Sequence, residues 1–229
     1  MLSSPQSATL SRADFASPGP IYRAIKRLVD LIVSILGLLV LSPLLIAIAV
    51  AIRLTSPGPA LYRGIRTGMG GQRFEMLKFR TMVVNAEKLG GPSTGKGDPR
   101  VTRLGRFLRA HKFDELPQLI NVLRGQMSLV GPRPEVIQYT DEYVGEEKLI
   151  LTVKPGITDY SSIQFIDLAE ALGRENVDAI YEMNVRPIKN QLRVRYVKQQ
   201  SFTTDMGILM RTLLHLLGVS DRVPKTSQH

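Results

Sequence analysis

Residues 31–52 read LIVSILGLLVLSPLLIAIAVAI, 22 positions without a charge. As a straight α-helix the run is about 33 Å long, enough to cross a bilayer core of about 30 Å. It is apolar on all sides, which argues against the amphipathic helix of a soluble core. Ser42-Pro43 stands at its middle. An interior proline removes one backbone hydrogen bond and crowds the preceding turn, at a cost of about 3 kcal/mol, so a kink is expected there. The Ser42 hydroxyl is placed to satisfy the freed carbonyl. Arg23, Lys26 and Arg27 precede the run; Arg53, Arg63 and Arg66 follow it. Positive charge marks the cytoplasmic side. Basic flanks on both sides fit a helix-break-helix that enters and leaves by one face. A kinked spanning helix fits the same residues, and the sequence leaves both open.

Around this run lies a chain of 229 residues, 44% hydrophobic and 22% charged, with a mean hydropathy of +0.01. That suits one substantial domain with appendages. It excludes a wholly disordered chain and a polytopic membrane protein. Residues 1–20 are rich in Ser, Ala and Pro and read as a disordered tail. They lack the apolar core and cleavage site of a signal peptide. Residues 219–229 read as a second tail. There is no cysteine, so disulfides and thiolate sites are excluded. His111, His215 and His229 show no metal-ligand spacing.

The formal charge is +10. Residues 53–135 hold fifteen Lys/Arg against six Asp/Glu, a net of +9, so one block carries nearly all the excess. Such a block suits a polyanion, a phosphate-bearing substrate or an anionic lipid. No helix-turn-helix, aromatic RNA-binding strand or zinc signature supports nucleic acid.

Residues 55–59, TSPGP, form a turn that ends the apolar segment. Residues 72–82, QRFEMLKFRTM, have strand character, which places Phe74, Met76, Lys78 and Arg80 on one face. Lys78 and Arg80 would then make a paired cationic site. Residues 90–100, GGPSTGKGDPR, read as a flexible loop without Walker spacing. Val101, Leu104 and Leu108 recur at helical spacing, flanked by Arg103, Arg106, Arg109 and Lys112. Leu116, Leu119, Ile120 and Leu123 make a second helix, with Pro117 in its first turn and Asp114-Glu115 at its start. Residues 131–134, GPRP, form a rigid turn presenting Arg133. Residues 166–181 read as a helix, and 204–217 as an amphipathic helix able to lie in a membrane interface or on the core.

Adjacent acids at a helix start are usually simple caps. Here Asp114-Glu115 lies inside the basic block. Helix-start amides and nearby cations would favour the ionised form of Asp114. An ionised carboxylate can bind magnesium or attack phosphorus. Lys78, Arg80, Arg109 and Arg133 are of the type that neutralises a phosphoanhydride for an anionic nucleophile.

These residues also carry a family resemblance. The chain resembles the monotopic phosphoglycosyl transferases, or bacterial sugar transferases, from about Tyr22 to Gly218. The matching pieces are the run with Ser42-Pro43, Lys78-Phe79-Arg80-Thr81-Met82, Asp98-Pro99-Arg100-Val101-Thr102, Asp114-Glu115-Leu116-Pro117-Gln118, Gly131-Pro132-Arg133-Pro134-Glu135 and Pro155-Gly156-Ile157-Thr158. Six pieces in order are specific where each alone is weak.

The resemblance implies transfer of a sugar-1-phosphate from a UDP-sugar to undecaprenyl phosphate, with release of UMP and initiation of a surface glycan. It implies a re-entrant helix broken at Ser42-Pro43 that penetrates the inner leaflet of the bacterial cytoplasmic membrane, with the catalytic part facing the cytoplasm. Asp114 would be the nucleophile of a ping-pong reaction through a covalent phosphosugar. Glu115 would manage metal or proton, and Mg2+ would bridge the carboxylates and the diphosphate. Arg109 and Arg133 would lie near the phosphates and nucleotide; Lys78 and Arg80 extend that set by strand geometry. After Thr158 many members continue Gly-Trp-Ala-Gln where this chain has Asp159-Tyr160-Ser161-Ser162, in a segment expected to line the sugar pocket. That leaves the sugar open. The chain resembles the small, minimal form. The expected fold is α/β but not doubly wound: a re-entrant helix over residues 21–54, then a cytosolic catalytic domain over 55–218 with interfacial helices and a small hairpin or sheet.

Overall fold

The computed structural model describes residues 18–219. Most of the tails expected at 1–20 and 219–229 lie outside the described residues. The apolar run forms the centre of helix α1, Pro20–Thr55, which continues through Pro43 without the break in helix expected at Ser42-Pro43. Proline leaves the Leu39 carbonyl without its backbone donor, and the Ser42 hydroxyl donates to that carbonyl at 2.8 Å. Of α1 only Asp30, Ser34, Ile48 and Ile52 are buried. Val40 and Ile46 are 75% and 65% exposed, part of an apolar surface far larger than a water-facing helix tolerates.

Each end of α1 is fastened to the same folded body. Near its start, Tyr22 and Lys26 donate to the Asp205 carboxylate at 2.8 and 2.6 Å. Arg27 donates to the carbonyls of Val122 and Leu123, and buried Asp30 accepts from the Leu129 amide and the Ser128 hydroxyl. Near its end, Ile48 and Ile52 pack with Phe79 and Leu108. Full burial of such a side chain is worth about 1.5–3 kcal/mol. Arg80 then donates to the Ser56 and Pro57 carbonyls just beyond the helix, at 3.0 and 2.6 Å.

The body is a small α/β assembly. Strands β1, Leu61–Thr67, and β2, Arg73–Phe79, form an antiparallel hairpin. Helix α2, Arg103–Ala110, starts at Thr102, whose hydroxyl accepts from the Gly105 amide. Helix α3, Gln118–Leu123, leads to β3, Ser128–Val130, which pairs in parallel with β4, Gly156–Thr158. Two separate two-stranded sheets agree with a fold that is not doubly wound. Helix α4, Ile137–Asp141, lies between β3 and β4 in sequence, and α5, Tyr160–Gln164, follows β4.

The helix read over 166–181 is divided into α6, Leu168–Leu172, and α7, Val177–Ile180. Gly173, at φ +68°, stops the first of these in a conformation a longer helix cannot continue. Helix α8, Arg186–Lys198, and α9, Phe202–Leu216, complete the chain. The main core joins Phe74 and Met76 of β2, Val122, Met127, Leu129 and Val130, and Tyr196 and Ile208 of the last two helices.

The loop read as flexible is gathered by Arg100. Its guanidinium bonds the Asp98 carboxylate and the carbonyls of Gly91 and Ser93. Behind the site, Arg193 is buried and bonds Glu135, which also accepts from Tyr181. Removing the arginine leaves the largely enclosed Glu135 carboxylate with the Tyr181 hydroxyl but without its ion-pair partner. Arg193→Met is expected to cost about 3–5 kcal/mol, seen as a lowered urea midpoint. An unchanged midpoint would remove this pair from the account of stability.

Candidate active site

Beyond α2 the chain turns at Lys112, a non-glycine residue at φ +57°, and enters a 3-10 turn, Phe113–Glu115. The Lys112 ammonium is tied to the Ile166 carbonyl at 2.8 Å. Because α3 begins only at Gln118, Asp114 and Glu115 precede it rather than occupy its first turn. The amides expected to favour ionised Asp114 therefore belong to another part of the chain.

The two acids are treated very differently. Asp114 is 7% exposed, and among the described residues no hydrogen bond or ion pair engages its carboxylate. Glu115 Oε1 accepts from Lys78 Nζ at 3.2 Å and from Arg133 Nη2. Burial pushes the Asp114 carboxyl above the ordinary 3.8; Lys78 pulls it down, Glu115 pushes it up further, and Arg109 and Arg133 offset only part of the rise. Burial acts the same way on Glu115, but Arg133, Lys78 and Lys112 overcome it and hold that carboxyl at about 2. The cations act on Asp114 in the expected direction, towards the ionised form, but burial and Glu115 outweigh them there, whereas at Glu115 the cations dominate.

Arg109 comes from the buried side of α2. Its Nε donates to the Thr81 hydroxyl at 2.8 Å. Its guanidinium is close enough to Asp114 and Asp98 to act on both charges. The helix reaches this position because Gly105 lies directly on the Thr81 carbonyl. A Cβ there would stand 2.0 Å from that oxygen. Arg133 donates through Nη1 to the Ile157 carbonyl at 2.8 Å, and its backbone amide to Asp159.

Lys78, Arg109, Asp114, Glu115 and Arg133 thus converge. Arg80 does not join them. Strand β2 ends at Phe79, so the alternation that paired Lys78 with Arg80 stops. The Arg80 guanidinium is spent on Ser56 and Pro57, and the paired cationic face does not form. Ser42 and Pro43 lie apart, in the middle of α1.

Asp159 sits behind the cluster rather than on a sugar-lining surface. It is fully buried, accepts from Ser161, Ser162 and the Arg133 amide, and caps α5. Aspartate three residues before serine is a helix-start pattern, and that signal was present in the sequence. Among the described residues, no three of His, Cys, Asp and Glu gather around one metal position.

A model of the family described as bacterial sugar transferase matches residues 21–218. The chain is 39% identical over 195 residues to a UDP-glucose:undecaprenyl-phosphate glucose-1-phosphate transferase of Caulobacter vibrioides, covering 84% of this chain and 69% of the relative. It is 36% identical over 203 residues to a UDP-N-acetylgalactosamine-undecaprenyl-phosphate N-acetylgalactosaminephosphotransferase of Aeromonas hydrophila, covering 87% and 45%. An Escherichia coli protein with the same name as the Caulobacter one is 38% identical over 195 residues, covering 83% and 40%. The chain therefore spans about two thirds of the first relative and less than half of the other two. With a convergent carboxylate and cation cluster, and a match over nearly the whole described chain, this protein belongs to the bacterial sugar transferase family, the phosphoglycosyl transferases.

Proposed function

We propose that this chain transfers a sugar-1-phosphate from a UDP-sugar to undecaprenyl phosphate and releases UMP, as the first step of a surface glycan. The relatives' names supply both substrates. The observation that carries the reading is Asp114: a buried carboxylate, free of direct partners, among Lys78, Arg109 and Arg133.

An Asp114 oxygen attacks the β-phosphorus of the donor. The new P–O bond forms as the bond to the bridging oxygen breaks, and UMP leaves with that electron pair. A phosphate oxygen of the acceptor then attacks the same phosphorus, displaces Asp114 and yields the lipid diphosphate sugar. The order is ping-pong. Lys78 and Arg109, whose Nη groups engage no hydrogen-bond partner among the described residues, offset the charge of the diphosphate. Glu115, held ionised, positions Lys78 and Arg133 and has no proton to give at neutral pH.

The residues fit a magnesium ion that takes one protein carboxylate, since Asp114 is unengaged and Mg2+ usually completes its shell with waters and substrate phosphates. Glu115 is a poorer ligand, because Oε1 already accepts from Lys78 and Arg133. Bound there, the ion would neutralise the diphosphate and favour ionised Asp114.

The re-entrant placement is supported by the two fastenings of α1. If α1 spanned the bilayer, the body holding both Tyr22 and Ile52 would have to span it too. With basic residues on both flanks, the body belongs on the cytoplasmic face. The exposed apolar face of α9, with Met210 and Leu213, suits the membrane interface. Single cysteines at Ile21 and Arg63 in this cysteine-free chain test the arrangement in sealed vesicles. Labelling of both from the same side is expected; labelling from opposite sides would establish a spanning helix.

Asp114→Asn is expected to abolish transfer while membrane binding and thermal unfolding stay unchanged, and labelled phosphosugar should remain on wild-type protein alone. Full activity in that variant would remove Asp114 as nucleophile. The pH profile gives a separate check. Attack needs ionised Asp114, so the acid limb of kcat/KM for the UDP-sugar should lie above the ordinary aspartate value of 3.8. Lys78 lowers the Asp114 pKa, so Lys78→Met should move that limb to higher pH as well as reduce the rate. A limb that moves to lower pH would contradict the assignment.

A further inference from the structure

The acceptor is an amphiphile, a phosphate on a long isoprenoid chain, and its chain needs a path from the bilayer to Asp114. One face of α2 offers such a path. Leu104, Phe107, Leu108 and His111 recur at i, i+3, i+4, i+7 and form one stripe. Leu104 and Leu108 pack on the C-terminal half of α1, against Ile48 and Ile52. Phe107 and His111 continue the stripe into the open. Phe107 is 52% exposed and His111 is exposed.

Phe113 closes this aromatic group. Its ring is 6.2 Å from Phe107 and 5.7 Å from His111, and Phe107 is 4.4 Å from His111. Phe113 also touches the Ile48–Ile52 cluster, and the next residue is Asp114. Aromatic side chains therefore run from the apolar helix to the residue next to Asp114 in the 3-10 turn. Folding does not require Phe107 or His111 to be aromatic, since neither side chain is buried.

Charge completes the match. Arg103 and Arg106 flank the stripe, are exposed, and engage no partner among the described residues. Arg109, one helical turn farther on, faces inward to Asp114. An apolar strip edged by free cations and leading to a third cation complements an isoprenoid phosphate.

We propose that Phe107, His111 and Phe113 seat the isoprenoid chain of the acceptor beside Asp114, with Arg103 and Arg106 guiding its phosphate toward Arg109. This rests on the transfer reading given above. The test is steady-state transfer by the full chain in liposomes, varying undecaprenyl phosphate and UDP-sugar in turn. Phe107→Ser should raise KM for undecaprenyl phosphate about tenfold, as expected for losing one aromatic contact. KM for the UDP-sugar should change less than about twofold. Phe107→Leu, which keeps an apolar side chain, should restore most of the loss, and sedimentation with liposomes should match wild type. An unchanged KM for undecaprenyl phosphate overturns the proposal. So does an equal rise for both substrates, or release of Phe107→Ser from liposomes, which would make the face a bulk-lipid anchor. Absence of transfer by wild-type protein overturns the parent reading and this one with it.

Discussion

One 36-residue helix is held at both ends by the same body, and the rest of the molecule is arranged around that constraint. At one end a carboxylate from the last helix draws in Tyr22 and Lys26. At the other, Arg80 gathers the carbonyls that follow the helix. Between the fastenings the chain is too apolar for water and has little protein over it. Charged hydrogen bonds at the ends are strong, and the unsatisfied middle needs a different solvent. Aqueous chemistry and apolar medium are thus brought within one short element of each other, since both α2 and Phe113 of the reactive turn pack on α1.

The reactive turn uses two neighbouring acids in opposite ways. Glu115 takes the direct bonds from Lys78 and Arg133 and stays charged. Asp114 is left with burial and longer-range fields, which act against each other. A carboxylate without direct partners keeps its lone pairs available, whereas one in a fork of cations is chemically quiet. The division of work follows from which side chain of the 3-10 turn faces Arg133.

Much of this was readable from residue order. The uncharged run gave α1, and the freed carbonyl at Leu39 followed from the position of Pro43 and the hydroxyl beside it. The alternation from Phe74 to Lys78 gave β2 with its buried face. What failed did so for local reasons. Arg80 stands one residue past the end of its strand, and no alternation pattern marks where hydrogen bonding stops. The long helix read after Ile166 ignored a glycine that takes positive φ. The burial that opposes ionisation of Asp114 was not legible, because sequence shows how many cations are near but not how deeply a carboxylate lies or which acid they touch. Asp159 carried a capping signal that was masked by its place in a segment expected to meet sugar.

The contact of Gly105 with the Thr81 oxygen has a mechanical meaning. Helix α2 rests on the chain after β2 with only a hydrogen atom as spacer, so no larger residue fits between them. Arg109, anchored to Thr81 as well, is a fixed post rather than a swinging arm. Any anion that reaches Arg109 meets its charge at one fixed place, held by Thr81 on one side and by the packing of Gly105 on the other.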